Sequence, residues 1–173
     1  MTEQRKFSRR AFIIPAIIVL ISIVNLITGD CSRLTPEMWL MLVVGSLCVG
    51  FNEEMINRGQ LIVALRSKYG EKGVWLISTA MFAVFHLPNI FFGTDLISLI
   101  QVPFAFGMGS VFYLARRTTG TLIAAMATHA IWDFSVFATK SPFMGAVAPF
   151  IGIVAVVVVV IQLAREKNRN QQS

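Results

Sequence analysis

Apolar and polar positions in this chain are sorted into long blocks. Apolar stretches near residues 11–28, 36–65, 73–92, 96–115, 120–138 and 143–164 are separated by short breaks carrying charge, glycine or proline. A bilayer core needs about 20 apolar residues per helical span, so each stretch is predicted to be a transmembrane helix. A spanning segment must satisfy its own backbone polar groups, and stretches of this length do so as helices. The predicted fold is an all-α, polytopic membrane bundle of about six transmembrane helices, with no room for a separate soluble domain. Residues 1–173 read as a single membrane-embedded domain. Within it, 36–137 carry the polar motifs, 11–28 and 143–164 are plain accessory spans, and 165–173 form a polar tail expected to be disordered.

Composition agrees: 55% of residues are hydrophobic and 14% charged, and the mean hydropathy of +0.70 lies beyond that of soluble domains. The basic start and apolar run of "MTEQRKFSRRAFIIPAIIVLISIVNLIT" have the outline of a secretory signal. The run is long for one and no small-x-small cleavage site follows, so it is read as the first span. With the N-terminus in the cytoplasm, 12 of the 15 basic residues fall inside: Arg5, Lys6, Arg9, Arg10, Arg66, Lys68, Lys72, Arg116, Arg117, Arg165, Lys167 and Arg169. Both termini are therefore expected to be cytoplasmic. The net charge of +6 is a topology signal and not a nucleic-acid footprint. Short loops and the lack of a targeting signal lead us to expect a bacterial plasma membrane. Cys31, in an outer loop, and Cys48, within the second span, are not placed to form a disulfide.

One apolar stretch breaks its own rule. "GFNEEMINRG", residues 50–59, sets Glu53, Glu54, Asn57 and Arg58 inside the second span. Each charge near a helix centre costs about 2.5–3.5 kcal/mol, against about 0.3–0.6 gained per large aliphatic residue. Arg58 follows Glu54 by four residues in the favoured acid-before-base order, so these two can neutralise each other. Glu53 points about 100° away and is left over. The expectation is one structural carboxylate and one facing an internal cavity.

The other polar groups lie on later spans. "FAVFHLPN" carries His86 just before Pro88, which should kink or end the helix, and "THAIWDF" places His129 and Asp133 four apart on one face. Glu53 lies 13 residues before Arg66, His86 lies 14 after Lys72, and His129 lies 12 after Arg117. On unbroken helices all three sit about 18–21 Å from the basic flank. A carboxylate and an imidazole at one depth can share a water as general base, and a second imidazole can stabilise a developing oxyanion. Peptide hydrolysis fits without a cofactor. Zinc is the rival reading of the same donors, although neither His-Glu-x-x-His nor Glu-x-x-His occurs.

"EEMINR", "FAVFH" and "HAIWD", in that order on successive spans with "TG" shortly before the last, resemble the CPBP family of CAAX-protease and bacteriocin-processing intramembrane endopeptidases, also called Abi. The resemblance covers roughly residues 36–137. It implies a glutamate-dependent intramembrane endopeptidase in which Glu53 with His86 activates water. His129 and Asp133 match the oxyanion positions, and Glu54 and Arg58 the supporting ones. Asp133 departs from the asparagine of the pattern, and an ionised aspartate accepts but cannot donate. It either stays protonated as a donor or accepts from His129 and favours its cationic form. Asn57 stands where relatives carry phenylalanine, four residues after Glu53, where it can alter hydrogen bonding in the site.

Two other function classes compete. A non-catalytic membrane partner, of bacteriocin-immunity or scaffold type, could keep the motifs; a proton-coupled transporter could use Glu53, His86 and His129 as a relay, but no internal repeat supports it. The expected partners are a peptide or membrane-associated protein substrate and the lipid bilayer, with no nucleic acid. The small residues of "AFGMGS" (105–110) and "AAMAT" (124–128) are expected to bring the fourth and fifth spans together. Pro103 is expected to bend the fourth span and open a lateral path beside the site.

Overall fold

The computed structural model describes residues 2–92 and 97–171. Six helices among them are long and apolar enough to cross a membrane, so the chain is an all-α multi-pass membrane protein. The helices are α1 (Ile13–Thr28), α2 (Pro36–Glu54), α3 (Leu61–Arg66), α4 (Glu71–Val84), α5 (Ile97–Thr119), α6 (Leu122–Thr139) and α7 (Pro142–Asn170). The expected start of the fourth span at residue 96 lies outside the described residues. Local chemistry sets several ends. The Thr35 hydroxyl accepts from Met38 N ahead of Pro36, and the Thr121 hydroxyl accepts from Ile123 N to start α6, both N-cap bonds. Lys140 closes α6 in the left-handed region at φ 51°.

Two expectations need correction, and a third needs refinement. The second span is not one α-helix, because Met55–Gln60 form a π-helical turn between α2 and α3. The unbroken rise assumed in placing Glu53 by depth does not hold across those six residues. The polar tail is not disordered through residue 170: α7 continues to Asn170, and Arg169 Nη2 donates to the Lys6 carbonyl at 2.6 Å. The fourth and fifth spans pack on each other as expected, but the closest backbone approaches at small residues lie elsewhere. A Cβ on Gly107 would meet Gly152 of α7 at 2.7 Å, and one on Gly50 of α2 would meet the Met126 carbonyl of α6 at 2.8 Å. Deleting side chains there lets backbones touch.

α5 is the central helix, packed on α4, α6 and α7, while α2 and α1 both lie on α6. Val111, Phe112, Tyr113 and Leu114 of α5 are fully buried, with Ile18, Ile62, Val74 and Phe82 around them. The outer faces remain apolar, with Ile27, Met41 and Phe150 more than two-thirds exposed, as a hydrocarbon-facing surface requires.

Polar clasps close the two ends of the bundle. At one end the Asn25 amide donates to Ser135 O, Ser135 Oγ and Thr139 Oγ1 at 2.8–3.2 Å, joining α1 to α6. Arg33 Nη2 donates to the last carbonyls of α6, Phe137 O and Ala138 O, a favourable place for a cation. At the other end Glu3 accepts from Arg66 Nη1 at 2.6 Å and from Arg116 and Arg117 at 3.2 and 3.4 Å. Burial opposes ionisation of Glu3, but the Arg66 hydrogen bond and the fields of Arg116, Arg66 and Arg117 outweigh it and hold the carboxyl below the usual range. Arg66 also forks onto Glu71, and Arg117 onto Glu166. Ser8 N donates to Gln162 Oε1. The segment around residues 3–8 and the last turns of α7 meet on this face.

Candidate active site

The fold brings Glu53, Glu54 and Arg58 of the second span against α4, α5 and α6. Glu54, Arg58 and His129 are buried, while Glu53, His86 and Asp133 are half-buried. The ion pair expected from the four-residue spacing is present, with Arg58 Nη1 3.1 Å from Glu54 Oε1 and neither side chain exposed. The same Glu54 oxygen is 3.2 Å from His129 Nδ1. A carboxylate oxygen only accepts here, so His129 carries its Nδ1 proton toward Glu54. On the opposite edge of the ring, His129 Nε2 lies 3.5 Å from Asp133 Oδ2. The imidazole is thus flanked by two carboxyl groups, one on another helix and one a turn along its own.

Aromatic rings hold this arrangement in place. Phe112 stacks on His129 with centroids 4.3 Å apart and planes 18° from parallel. Phe82 lies edge-on to His86, His129 and Phe112 at 5.1, 5.7 and 6.0 Å. The Arg58 guanidinium sits 4.1 Å from the Phe82 centroid, a cation–π contact of the desolvated kind. Gly109 makes room for that cation, because a Cβ there would stand 2.5 Å from Arg58 Nη2. Phe112 was not singled out from the sequence, and Gly109 only as one of the small residues of 105–110 expected to pack against the fifth span. The local pattern of α5 does not reveal what they do here, since their role comes from what packs opposite.

His86 and Glu53 stand apart from the buried cluster. α4 stops at Val84 and gives way to a 3-10 turn over Leu87–Phe92, the break that Pro88 was expected to impose. His86 Nδ1 is 3.0 Å from the Phe82 carbonyl. A carbonyl accepts only, so the proton of the neutral ring belongs on Nδ1 and the Nε2 lone pair is free to take another. The Glu53 carboxylate makes no hydrogen bond or ion pair with any described residue; the Asn57 amide reaches the Glu53 backbone carbonyl instead, at 2.9 Å. Both Glu53 and His86 are within electrostatic reach of Asp133. Glu54 Oε2, Asn57 Oδ1, Arg58 Nε and Nη2, and Thr79 Oγ1 are buried without a protein hydrogen-bond partner.

Among the described residues, no three His, Cys, Asp or Glu side chains converge in a way that would hold one metal ion. The groove at Pro103 does not open beside Glu53. It lies between α5 and α7, lined by residues such as Phe106, Pro149, Gly152 and Ile153.

Residues 35–135, more than half of the chain, match a family model described as Type II CAAX prenyl endopeptidase Rce1-like. The match spans the π turn and every side chain of the cluster just described. No curated protein and no solved structure matches the chain.

Proposed function

The chain belongs to the Rce1-like family of type II CAAX prenyl endopeptidases, and from that membership we propose an intramembrane endopeptidase in which Glu53 and His86 activate the attacking water. The family is one of proteases, and the six apolar helices make this a multi-pass membrane member of it. The catalytic reading rests on two groups left open to water, the half-buried Glu53 carboxylate, which has no partner among the described residues, and His86, whose Nδ1 proton is committed to Phe82 O, both within electrostatic reach of Asp133. Such a pair can hold one water between an acceptor oxygen and an acceptor nitrogen.

In the proposed reaction the water oxygen bonds to the scissile carbonyl carbon as its proton passes to the Glu53–His86 pair. The carbonyl electrons move to oxygen, and His129 Nε2–H donates to the oxyanion that forms. Collapse of the intermediate breaks the C–N bond, and the stored proton goes to the departing amine. Glu54, fixed by Arg58, holds the Nδ1 side of His129. The 3.5 Å approach of Asp133 to Nε2 supports an electrostatic role for Asp133, whose charge favours the protonated ring while the Nε2–H turns to the oxyanion. Phe82 and Phe112 position both rings. No metal enters this mechanism. The substrate is a peptide segment of a membrane-associated protein, and both termini of the enzyme face the cytoplasm, following the distribution of basic residues.

The test is cleavage of a quenched fluorescent peptide panel by purified protein, wild type beside Glu53→Gln, His86→Ala and His129→Ala, with and without a strong chelator. Loss of a general base lowers kcat by about 10²–10⁴, and loss of an oxyanion donor by about 10²–10³. Wild-type rates in Glu53→Gln would sink the mechanism. Chelator-sensitive activity restored by zinc would move the same residues into a metal site. A wild-type protein inert to every peptide, with an intact cellular phenotype for Glu53→Gln, would favour the immunity or scaffold reading.

A further inference from the structure

We infer that the cleft between the first turn of α4 and the last turns of α7 binds the headgroup of an anionic phospholipid, with an acyl chain running along α7. The cleft has a volume of about 980 Å³, at the upper end of small-molecule sites and ample for a phosphoglycerol group. Lys6, Lys72 and Lys167 line it from three separate segments. All three are exposed, and none forms an ion pair with a described residue. The two acids in its wall are already committed: Glu71 to Arg66 and Tyr113, and Glu166 to Arg117. The cleft is therefore basic in effect although its lining contains both signs.

Its shape and place select a lipid over a free anion. Val160, Leu163 and Ala164 form one wall, continuous along α7 with Val157, which is about half exposed toward the surroundings of the bundle. A ligand filling the cleft must be anionic at one end and apolar along its length. Gly70 gives α4 no side-chain cap, so the amides of its first turn lack a side-chain acceptor and favour an anion beside the lysines. The basic end of the bundle faces the cytoplasmic leaflet under the positive-inside rule, and that leaflet carries the anionic lipid; basic clefts between spans on this side hold such headgroups. The inference does not depend on the proteolytic mechanism.

The experiment titrates delipidated, detergent-purified full-length protein with phosphatidylglycerol, phosphatidylcholine or inorganic phosphate, counting bound molecules by native mass spectrometry. One discrete phosphatidylglycerol is expected, with phosphatidylcholine and phosphate not competing. In Lys6→Gln/Lys72→Gln/Lys167→Gln its affinity falls about fivefold per lysine, roughly a hundredfold in all, from the attraction of single basic residues to anionic lipid. The control Arg10→Gln/Lys68→Gln/Arg165→Gln removes the same charge from exposed positions outside the cleft and should bind as wild type. Equal losses in both triple variants would reduce the effect to bulk charge and overturn the site. Equal binding of phosphatidylcholine, or displacement of the lipid by phosphate, would overturn the choice of ligand. All six positions are exposed, and retention of the monodisperse elution profile separates lost binding from lost fold.

Discussion

Gly109 offers a one-methyl test of how the buried cluster is packed. An added Cβ would stand 2.5 Å from Arg58 Nη2 and 3.0 Å from both Phe82 Cδ1 and Thr79 Cγ2. The guanidinium cannot easily retreat, because it is fully buried between the Glu54 carboxylate and the Phe82 ring. Two terms oppose each other in Gly109→Ala. Replacing a helical glycine by alanine gains about 0.8–1 kcal/mol in helix propensity, whereas forcing a methyl into a filled core costs about 1–3 kcal/mol. The net expectation is a destabilisation of up to about 2 kcal/mol. The control is Gly45→Ala on the exposed face of α2, where a Cβ meets nothing within 4 Å; only the propensity term applies, so this variant should be stabilised by about 0.5–1 kcal/mol. Reversible unfolding in mixed micelles of increasing SDS content, followed by tryptophan fluorescence, gives both numbers. If Gly109→Ala is stabilised as much as Gly45→Ala, the close packing of Arg58, Phe82 and Thr79 around Gly109 is refuted. Peptidase activity should fall with stability in Gly109→Ala alone, because a displaced Arg58 releases Glu54 and with it the Nδ1 side of His129.

Three further outcomes are expected. Asp133→Asn should keep cleavage within about tenfold of wild type, since an amide can itself donate to an oxyanion, whereas Asp133→Leu should lose about 10²-fold; equal losses in the two would dismiss a hydrogen-bonding role. The Glu3 carboxyl titrates below its ordinary value of 4.5, so its stabilising contribution is present above that value and disappears as pH falls through the lowered one. Glu3→Gln should therefore be less stable than wild type at pH 7, the gap closing on acidification; a gap unchanged between about pH 7 and pH 3 would count against the Arg66–Arg116–Arg117 hub. Asn25→Ala removes an amide that donates to three oxygens of α6 and should cost about 1–2 kcal/mol, near the top of the range for interhelical hydrogen bonds in membranes. The same unfolding measurement checks it, and a change within error would make that clasp energetically idle.

The six spans were legible because hydrocarbon imposes a single demand over each whole stretch. The Glu54–Arg58 and His129–Asp133 contacts were legible because residues four apart on one helix are neighbours whatever lies around them. The harder features depend on partners far away in sequence. The π turn at Met55–Gln60 falls in the polar stretch the sequence marks, but polarity alone does not tell a π turn from continued α-helix. Phe112 looks like any core aromatic until His129 is seen stacked on it, and Gly107 finds its partner on α7 instead of on the neighbouring α6. The helical course of α7 through Asn170 was masked by the polarity of the tail, although Arg169 and Glu166 both have bonding partners elsewhere. Charge balance held an unread signal: Arg66, Arg116 and Arg117 cluster at one bundle end, and Glu3, Glu71 and Glu166 are the acids that meet them.

The clasp around Glu3 also orders events in time. Glu3 leaves the ribosome 114 residues before Arg117, Ser8 leaves 154 before Gln162, and Lys6 leaves 163 before Arg169. During synthesis the leading segment first gains Arg66, then Arg116 and Arg117 of α5, and its bonds to Gln162 and Arg169 form only once α7 is in place. The clasp is thus completed in stages, and its last bonds record that α7 has joined the bundle.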